Sequence, residues 1–142
     1  MSQGRVIILN GTSSSGKTTI ANLLHGTLLG PCLRTGIDDY LDRVGRYWVE
    51  VGDGLNQQTA PGWLAVVRDG RLVEVRTGPV GQRVLSAMYA SVAGAARSGL
   101  DVVVDDVIHE ATVLESAITH LRELPVAFVG IKCSLDVAER RE

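Results

Sequence analysis

The sequence has little of several residue types, and each shortage argues against a class of protein. The two cysteines, Cys32 and Cys133, are too few to staple a secreted scaffold and lack metal-site spacing, so we expect reduced thiols. Aromatic residues make up only 4% of the chain and stand singly, which gives no stacking platform for single-stranded nucleic acid. Fourteen basic residues stand against 16 acidic ones, so the sequence lacks the positive excess typical of nucleic-acid-binding proteins. We therefore expect no nucleic-acid partner.

Long apolar runs are also absent from the sequence. No segment approaches the roughly 20 apolar residues of a membrane-spanning helix, so we expect no membrane partner. The first ten residues, MSQGRVIILN, pass from a polar start into a strand-like run, which favours a cytoplasmic location. The 142 residues, 45% of them apolar, have the size of one domain, and we interpret residues 1–142 as a single domain.

Short apolar runs and helical periodicities alternate along the chain. Strands are predicted at Arg5–Leu9, Cys32–Ile37, Asp101–Val104 and Val126–Ile131, the first and third of them buried and the second weaker. Helices are predicted from Lys17 to about Leu28, after the second strand through Tyr47, at about Val80–Arg97 and Ala111–Leu121, and within CSLDVAERRE. This alternation predicts an α/β fold with a parallel sheet covered by helices on both faces. The segment from Trp48 to Trp63 lacks a clear period and is predicted as a loop, whereas AVVRDGRLVEV predicts a hairpin that turns at Asp69 and Gly70.

One segment carries a phosphate-binding motif. Residues 11–18 read GTSSSGKT, which matches GxxxxGK[ST] between a predicted strand and a predicted helix. Backbone N–H groups of such a loop converge on phosphate oxygens, and the helix N-terminus adds partial positive charge. Lys17, one of only two lysines beside twelve arginines, would contact the β- and γ-phosphates, and the Thr18 hydroxyl would hold magnesium. The predicted nucleotide site is Gly11, Thr12, Ser13, Ser14, Ser15, Gly16, Lys17, Thr18 and Thr19.

Acidic pairs close two of the predicted strands. The run VVVDD places Asp105 and Asp106 where a carboxylate can hold magnesium beside a phosphate loop, and we favour Asp105 because it directly ends the strand. Asp38 and Asp39 end the second strand, at the edge where open α/β sheets bind ligands. One of this pair could accept the proton of an attacking hydroxyl, and a helix cap is the alternative. We interpret His109 as a surface or capping residue, and a role as acid or base is the alternative.

Together these motifs resemble the chloramphenicol 3-O-phosphotransferases, a family of P-loop kinases. The similar stretches are RVIILNGTSSSGKTTIA, GIDDYLD, TGPVGQRVLSAMYASVAGAARSGLDVVVDDVI and VGIKCSLDVAERRE. The resemblance implies ATP and Mg²⁺ as cofactors, and a small hydroxylated substrate such as chloramphenicol, with antibiotic resistance as the biological role. It also implies that Asp38 is the base that activates the acceptor hydroxyl. In the same way it makes Arg141 the first arginine of a lid over the transferring phosphoryl group.

The resemblance carries a fold expectation as well. It implies a P-loop kinase fold whose parallel strands lie in the order second, third, first, fourth. Compared with the family, the sequence up to Glu142 would lack the last strand and most of the lid. An edge strand left uncovered in this way would favour a homo-oligomer. Tyr40, Trp48 and Trp63 are candidates to line the acceptor pocket, and ordinary packing is the alternative for them.

Two other functions share parts of this pattern. A GTPase-like switch would carry a guanine-reading NKxD motif, which the sequence lacks, and the DxxG match at Asp42–Gly45 follows a predicted helix rather than a strand. A nucleotide-binding regulatory module or an inactive kinase remnant would keep the phosphate loop without turnover. A turnover assay separates such a module from a kinase.

Overall fold

Strands and helices alternate along the chain, as the sequence predicts. The computed structural model describes residues 2–28, 30–45, 48–55 and 60–141. Over these residues the strands are β1 (Val6–Asn10), β2 (Cys32–Gly36), β3 (Val49–Gly52), β4 (Trp63–Arg68), β5 (Arg71–Thr77), β6 (Asp101–Asp106) and β7 (Val126–Gly130). The helices are α1 (Lys17–Thr27), α2 (Ile37–Val44), α3 (Pro79–Arg97), α4 (Ala111–Leu121) and α5 (Leu135–Glu139).

Four of the strands form a parallel sheet in the order β2-β6-β1-β7. This order confirms the predicted sequence of second, third, first and fourth core strands. The register of the central pair places Leu9 opposite Asp105 and Asn10 opposite Asp106. Because the strands are parallel, their carboxyl ends meet at one edge. The segment that follows β1 therefore starts beside the acidic end of β6.

Helices cover both faces of this sheet, which confirms the predicted layering. Val6 and Ile8 of β1 pack into one apolar core with Leu85 of α3, and residues of α4 complete it. Leu9, on the opposite face of the same strand, packs into a second core with Ala21 of α1. Each of these side chains is at most 1% exposed. Fully burying a large apolar side chain contributes about 1.5–3 kcal/mol, so the two cores hold the central strands firmly in place.

A second, smaller sheet has the order β3-β4-β5. β4 and β5 form the predicted antiparallel hairpin, with Asp69 (φ 50°) and Gly70 (φ 75°) at its turn. β3 pairs in parallel with β4, so the loop predicted from Trp48 to Trp63 is wrong over Val49–Gly52. This strand is only four residues long and pairs across an intervening segment rich in Gly, Asp and Gln. Its formation depends on that tertiary pairing rather than on a local apolar pattern.

The second acidic pair lies on a helix, not at a strand end. β2 ends at Gly36 and α2 begins at Ile37, so the prediction that Asp38 and Asp39 close the second strand is wrong. Carboxylates in a first helical turn interact favourably with the helix dipole, and this favours a helix start at these residues. The predicted end of this helix at Tyr47 lies outside the described residues.

The longest helix of the described part, α3, has 19 residues and is amphipathic. Its buried positions include Leu85, Met88, Tyr89 and Val92, which recur at helical spacing as the sequence predicts. Across residues 2–28, 30–45, 48–55 and 60–141, no helix combines the length and the apolar character needed to cross a membrane.

Over the described residues, β7 is an edge strand of the four-stranded parallel sheet, which is the main sheet of the structure. It pairs with β1 on one side only. Phe128 is 47% exposed and Val129 is 38% exposed, and these neighbouring side chains point to opposite faces of the sheet. An exposed apolar edge of this kind can pair with a strand of another chain.

We predict that the 142-residue chain self-associates through β7 at micromolar concentrations. Val129→Lys places a charge on this edge. Pairing of β7 with a strand of another chain would then bury the lysine, so the variant should shift toward the monomer. Sedimentation velocity measures the shift. Leu23→Lys is the matched control, since Leu23 is 63% exposed on α1 and away from β7, and it should leave the association state unchanged. A strictly monomeric unmodified chain would contradict the prediction.

Candidate active site

The loop between β1 and α1 has the conformation of a phosphate cradle. Gly16 adopts φ 94°, a left-handed conformation that a residue with a side chain rarely takes, and α1 begins directly after it. A side chain at Gly11 would bring its Cβ within 2.5 Å of the Ile131 carbonyl oxygen, so only glycine fits there. Both glycines of the motif are thus explained by backbone geometry, and the loop leaves its N–H groups at a helix N-terminus.

Two buried polar side chains lie within this loop. Lys17 is 7% exposed, and its Nζ donates a hydrogen bond of 2.8 Å to the Thr12 carbonyl oxygen. The Ser15 hydroxyl is buried and has no hydrogen-bond partner among the residues that the structure describes. An unpaired buried hydroxyl costs free energy, and a phosphate oxygen would satisfy it. This orphaned hydroxyl and the lysine at the helix N-terminus fit a nucleotide polyphosphate.

Thr18 and Asp105 meet at the mouth of the cradle. The Thr18 hydroxyl donates a hydrogen bond of 2.6 Å to the Asp105 carboxylate. β6 runs through both acidic residues, and Asp106 faces the opposite side, where it is fully buried and accepts a hydrogen bond from Tyr89. The structure therefore places Asp105, the residue favoured by the sequence, beside the phosphate loop. A hydroxyl and a carboxylate are hard oxygen donors of the kind that Mg²⁺ prefers.

The carboxylates of Asp38 and Asp39 have different surroundings, although they are neighbours on α2. Asp38 is exposed and lines a cavity with residues of the phosphate loop. Asp39 turns back and accepts a hydrogen bond of 3.0 Å from the Gly36 backbone N–H, which caps the helix. Of the two roles that the sequence left open for the pair, the structure shows the cap, at Asp39, while Asp38 faces the cavity.

Arg141 reaches the phosphate loop from the far end of the chain. Its guanidinium donates a hydrogen bond of 3.2 Å to the Ser14 carbonyl oxygen, across 127 residues of sequence. It lies two residues beyond the end of α5, and its side chain is exposed. The structure thus brings this predicted residue to the nucleotide side of the loop.

Two cavities adjoin at the phosphate loop. The larger, of about 650 Å³, is lined by Ser14, Ser15, Gly16, Lys17, Thr18, Thr19, Ile20 and Arg141. The smaller, of about 230 Å³, is lined by Ser13, Ser14, Lys17, Thr18, Ile37, Asp38, Asp105 and Val107. Lys17 and Thr18 line both cavities, so a group bound by these two residues would be accessible from both cavities. Across the described residues, no group of three or more His, Cys, Asp or Glu side chains could hold a metal by itself.

Other residues singled out by the sequence lie apart from these cavities. Trp63 is 3% exposed and belongs to the core, so packing is its role rather than lining of a pocket. Tyr40 packs partly against the same core, and Trp48 is half-buried. The His109 ring lies 3.1 Å from the Thr77 hydroxyl and 3.3 Å from the Glu110 carboxylate.

Sequence reasoning missed two apolar residues of the smaller cavity. Ile37 and Val107 flank the acidic pairs in sequence and line the cavity beside Asp38 and Asp105. The signal that could have found them is their position, because each follows a strand at the carboxyl edge where ligands bind.

A family described as chloramphenicol phosphotransferase-like protein matches residues 4–142. The chain belongs to the chloramphenicol phosphotransferase-like family. Two Mycobacterium tuberculosis proteins, from different strains and named as candidate O-phosphotransferases, are each 28% identical to it over 148 aligned residues. The alignments cover 100% of this phosphotransferase-like chain and 63% of each relative, so the chain spans less than two thirds of their length.

Solved structures share the fold of this phosphotransferase-like chain. A chain of the Pnkp1/Rnl/Hen1 RNA repair complex matches with a TM-score of 0.64 and 18% identity, over 99% of this chain and 37% of that one. Shikimate kinase from Acinetobacter baumannii, in complex with shikimate, matches with a TM-score of 0.53 and 13% identity, over 98% of this chain and 62% of that one. These likenesses confirm the predicted P-loop kinase fold.

The capping contact yields a stability prediction. Asp39→Ala removes the acceptor of the Gly36 N–H and should lower the free energy of unfolding by about 1 kcal/mol, as loss of a helix cap does. Asp38→Ala is the matched control on the same turn and should cost less, because its carboxylate faces the cavity. Urea unfolding of both variants measures the difference, and equal losses would contradict the assignment of Asp39 as the cap.

Proposed function

We propose that this chain transfers the γ-phosphoryl group of ATP to a hydroxyl group of a small, partly apolar molecule, and that chloramphenicol or a similar antibiotic is an acceptor. One observation carries this proposal. The smaller cavity joins the Asp38 carboxylate to Lys17, Thr18 and Asp105, so a base and the groups suited to a triphosphate face the same space. With ATP as the donor, we expect the reaction to take place in the cytoplasm.

The larger cavity is the proposed nucleotide site. Phosphate oxygens would accept hydrogen bonds from the loop N–H groups and from the orphaned Ser15 hydroxyl. The Lys17 ammonium group, which donates to Thr12 in this structure, would turn to the β- and γ-phosphates. A charge-assisted contact of this kind is about twice as strong as a neutral one.

Thr18 and Asp105 are the proposed magnesium-holding residues. Their oxygens already lie 2.6 Å apart, at the junction of the two cavities. Magnesium, when bound, supplies positive charge that offsets the charge developing on the transferring phosphoryl group. One carboxylate and one hydroxyl suffice, because Mg²⁺ usually completes its shell with water and phosphate oxygens.

Asp38 is the proposed general base. It would accept the proton of the acceptor hydroxyl while the hydroxyl oxygen bonds to the γ-phosphorus. The bond between the γ-phosphorus and the β–γ bridging oxygen then breaks, and ADP leaves. Arg141 would donate hydrogen bonds to the transferring group from the nucleotide side, since its guanidinium already lies beside Ser14.

A small acceptor fits the surroundings of Asp38 better than a polynucleotide does. The smaller cavity measures about 230 Å³, and Ile37 and Val107 give it apolar walls. A net charge of -2 provides no general attraction for a phosphate backbone. The likeness to a chain of an RNA repair complex nevertheless makes an RNA 5′-hydroxyl the informative competitor.

A radiolabel assay tests the proposal. The chain is incubated with [γ-³²P]ATP and Mg²⁺, together with chloramphenicol, other hydroxylated antibiotics and metabolites, or an RNA oligonucleotide with a 5′-hydroxyl. We expect label on a small hydroxylated compound and none on RNA. ATP binding with no transfer to any acceptor would instead indicate a nucleotide-binding module.

Lys17→Ala tests the nucleotide site. The variant loses a cation at the phosphates, so its ATP affinity should fall by about 1.5–3 kcal/mol. Lys132→Ala, which removes the only other lysine and an exposed one, is the matched control and should bind ATP normally. Isothermal titration calorimetry measures both, and circular dichroism checks that the fold is retained. Unchanged ATP affinity in Lys17→Ala would overturn the proposed nucleotide site.

Asp38→Asn tests the base. The amide keeps the shape of the side chain but cannot take up the proton, so kcat should fall on the order of 10²–10⁴-fold while ATP affinity changes little. Asp42→Asn, one turn further along α2, is the matched control and should retain activity. Asp39→Asn should lose less activity than Asp38→Asn. The reverse ranking would mean that the base is Asp39.

A further inference from the structure

A carboxylate and a phenol are buried together behind the proposed magnesium site. Asp106 of β6 and Tyr89 of α3 are both fully buried, and the Tyr89 hydroxyl donates a hydrogen bond to Asp106 Oδ2. Asp106 is the only fully buried acidic side chain among the described residues. Burying a carboxylate costs several kcal/mol, and an apolar pair of similar volume would pack at lower cost. Packing alone therefore does not account for this pair.

The pair is connected to Asp105 through the end of β6. Asp105 and Asp106 are consecutive residues of β6, so their side chains point to opposite faces of the sheet. A contact that fixes the side chain of Asp106 therefore also restricts the backbone that positions Asp105. Asp106 Oδ1 accepts a hydrogen bond of 2.7 Å from the Val107 N–H, while Oδ2 is held by Tyr89. The carboxylate thus ties the strand end to α3, which is anchored in the main core.

A second contact fixes the same strand end from the side of β1. Asn10 Oδ1 accepts a hydrogen bond of 2.9 Å from the Ile108 N–H, and Asn10 is the residue directly before the phosphate loop. Two consecutive backbone N–H groups after β6 are therefore held, one by Asp106 and one by Asn10. These two hydrogen bonds restrict the backbone at the end of β6 and so keep Asp105 close to Thr18.

We propose that Tyr89 and Asp106 are positioning residues that hold Asp105 in place for magnesium, an inference that rests on the proposed function. Neither residue lines the two cavities, so both act through the backbone of β6. Burial raises the pKa of Tyr89 and keeps its hydroxyl protonated, as a hydrogen-bond donor must be. Partners that hydrogen-bond directly to a metal ligand change metal affinity by about 10–100-fold when they are removed, and for Tyr89 and Asp106, which act through the backbone, we expect the low end of this range.

Three substitutions test whether Asp106 acts by holding Asp105 in position or by its own charge. Tyr89→Phe removes only the hydroxyl that holds Asp106. Asp106→Ala removes the carboxylate. Asp106→Asn can keep both contacts, because its amide oxygen accepts the Val107 N–H and its amide nitrogen can donate to the Tyr89 oxygen.

The measurement is the ratio of affinities for a non-hydrolysable ATP analogue with and without Mg²⁺, by calorimetry on the full chain. A loss of folded protein lowers both affinities equally, so the ratio reports only on the metal. We expect Tyr89→Phe and Asp106→Ala to lower the ratio about tenfold, with metal-free affinity unchanged, and Asp106→Asn to match the wild type. Ser86→Ala is the matched control, because it removes a hydroxyl contact of 2.9 Å between α3 and His120, away from β6.

The outcomes distinguish this inference from the proposed function. If Mg²⁺ raises the affinity of the wild type for the ATP analogue and raises that of Tyr89→Phe equally, the inference is overturned and the proposed function stands. This outcome is decisive even if Asp106→Ala fails to fold. Asp106→Asn as impaired as Asp106→Ala also overturns it, since the carboxylate would then act by charge. A wild-type chain whose affinity ignores Mg²⁺ overturns the proposed function as well.

Discussion

The parallel pairing of β1 with β6 is the constraint on which the candidate site depends. Its register sets Leu9 opposite Asp105, so the phosphate loop and the acidic strand end leave the sheet side by side. Thr18 and Asp105 are 87 residues apart in sequence and meet only through this register. A slip of one residue would turn Asp105 toward α3 and bring Asp106 to the phosphate loop. The apolar cores on both faces oppose that slip, because it would move the side chains that fit one core into the other core.

The buried polar side chains lie where the pairing of β1 with β6 brings the phosphate loop next to the end of β6. Ser15, Lys17 and Asp106 are the buried polar or charged residues of the described part of the chain, and each lies on or next to the carboxyl edge of the sheet. Such burial is costly, and the surrounding apolar core offsets the cost. In return, the charged and hydroxyl groups are held in place in advance, as the proposed electrostatic stabilisation of a phosphoryl group requires.

Local patterns sufficed to predict much of the fold, while tertiary pairing determined the rest. The phosphate loop could be predicted because its glycines and its lysine are required by backbone geometry and charge, and α4 could be predicted at Ala111–Leu121 from its apolar period. β3 could not be predicted, since its pairing with β4 crosses a segment without a period. Tyr89 looked like any inward residue of an amphipathic helix. Its hydroxyl gains a role only through contact with Asp106 on another element.

The segment after β6 joins the phosphate loop to the smaller sheet. Its first two N–H groups are held by Asp106 and Asn10, at the phosphate loop. Its end is held differently, because the Glu110 carboxylate accepts a hydrogen bond of 2.9 Å from the Thr77 N–H at the end of the smaller sheet. Val107, a wall of the smaller cavity, belongs to the first of these two attachments. The segment therefore links the main sheet, which carries the phosphate loop, to the smaller sheet, whose Trp63 is also packed into the core of the main sheet.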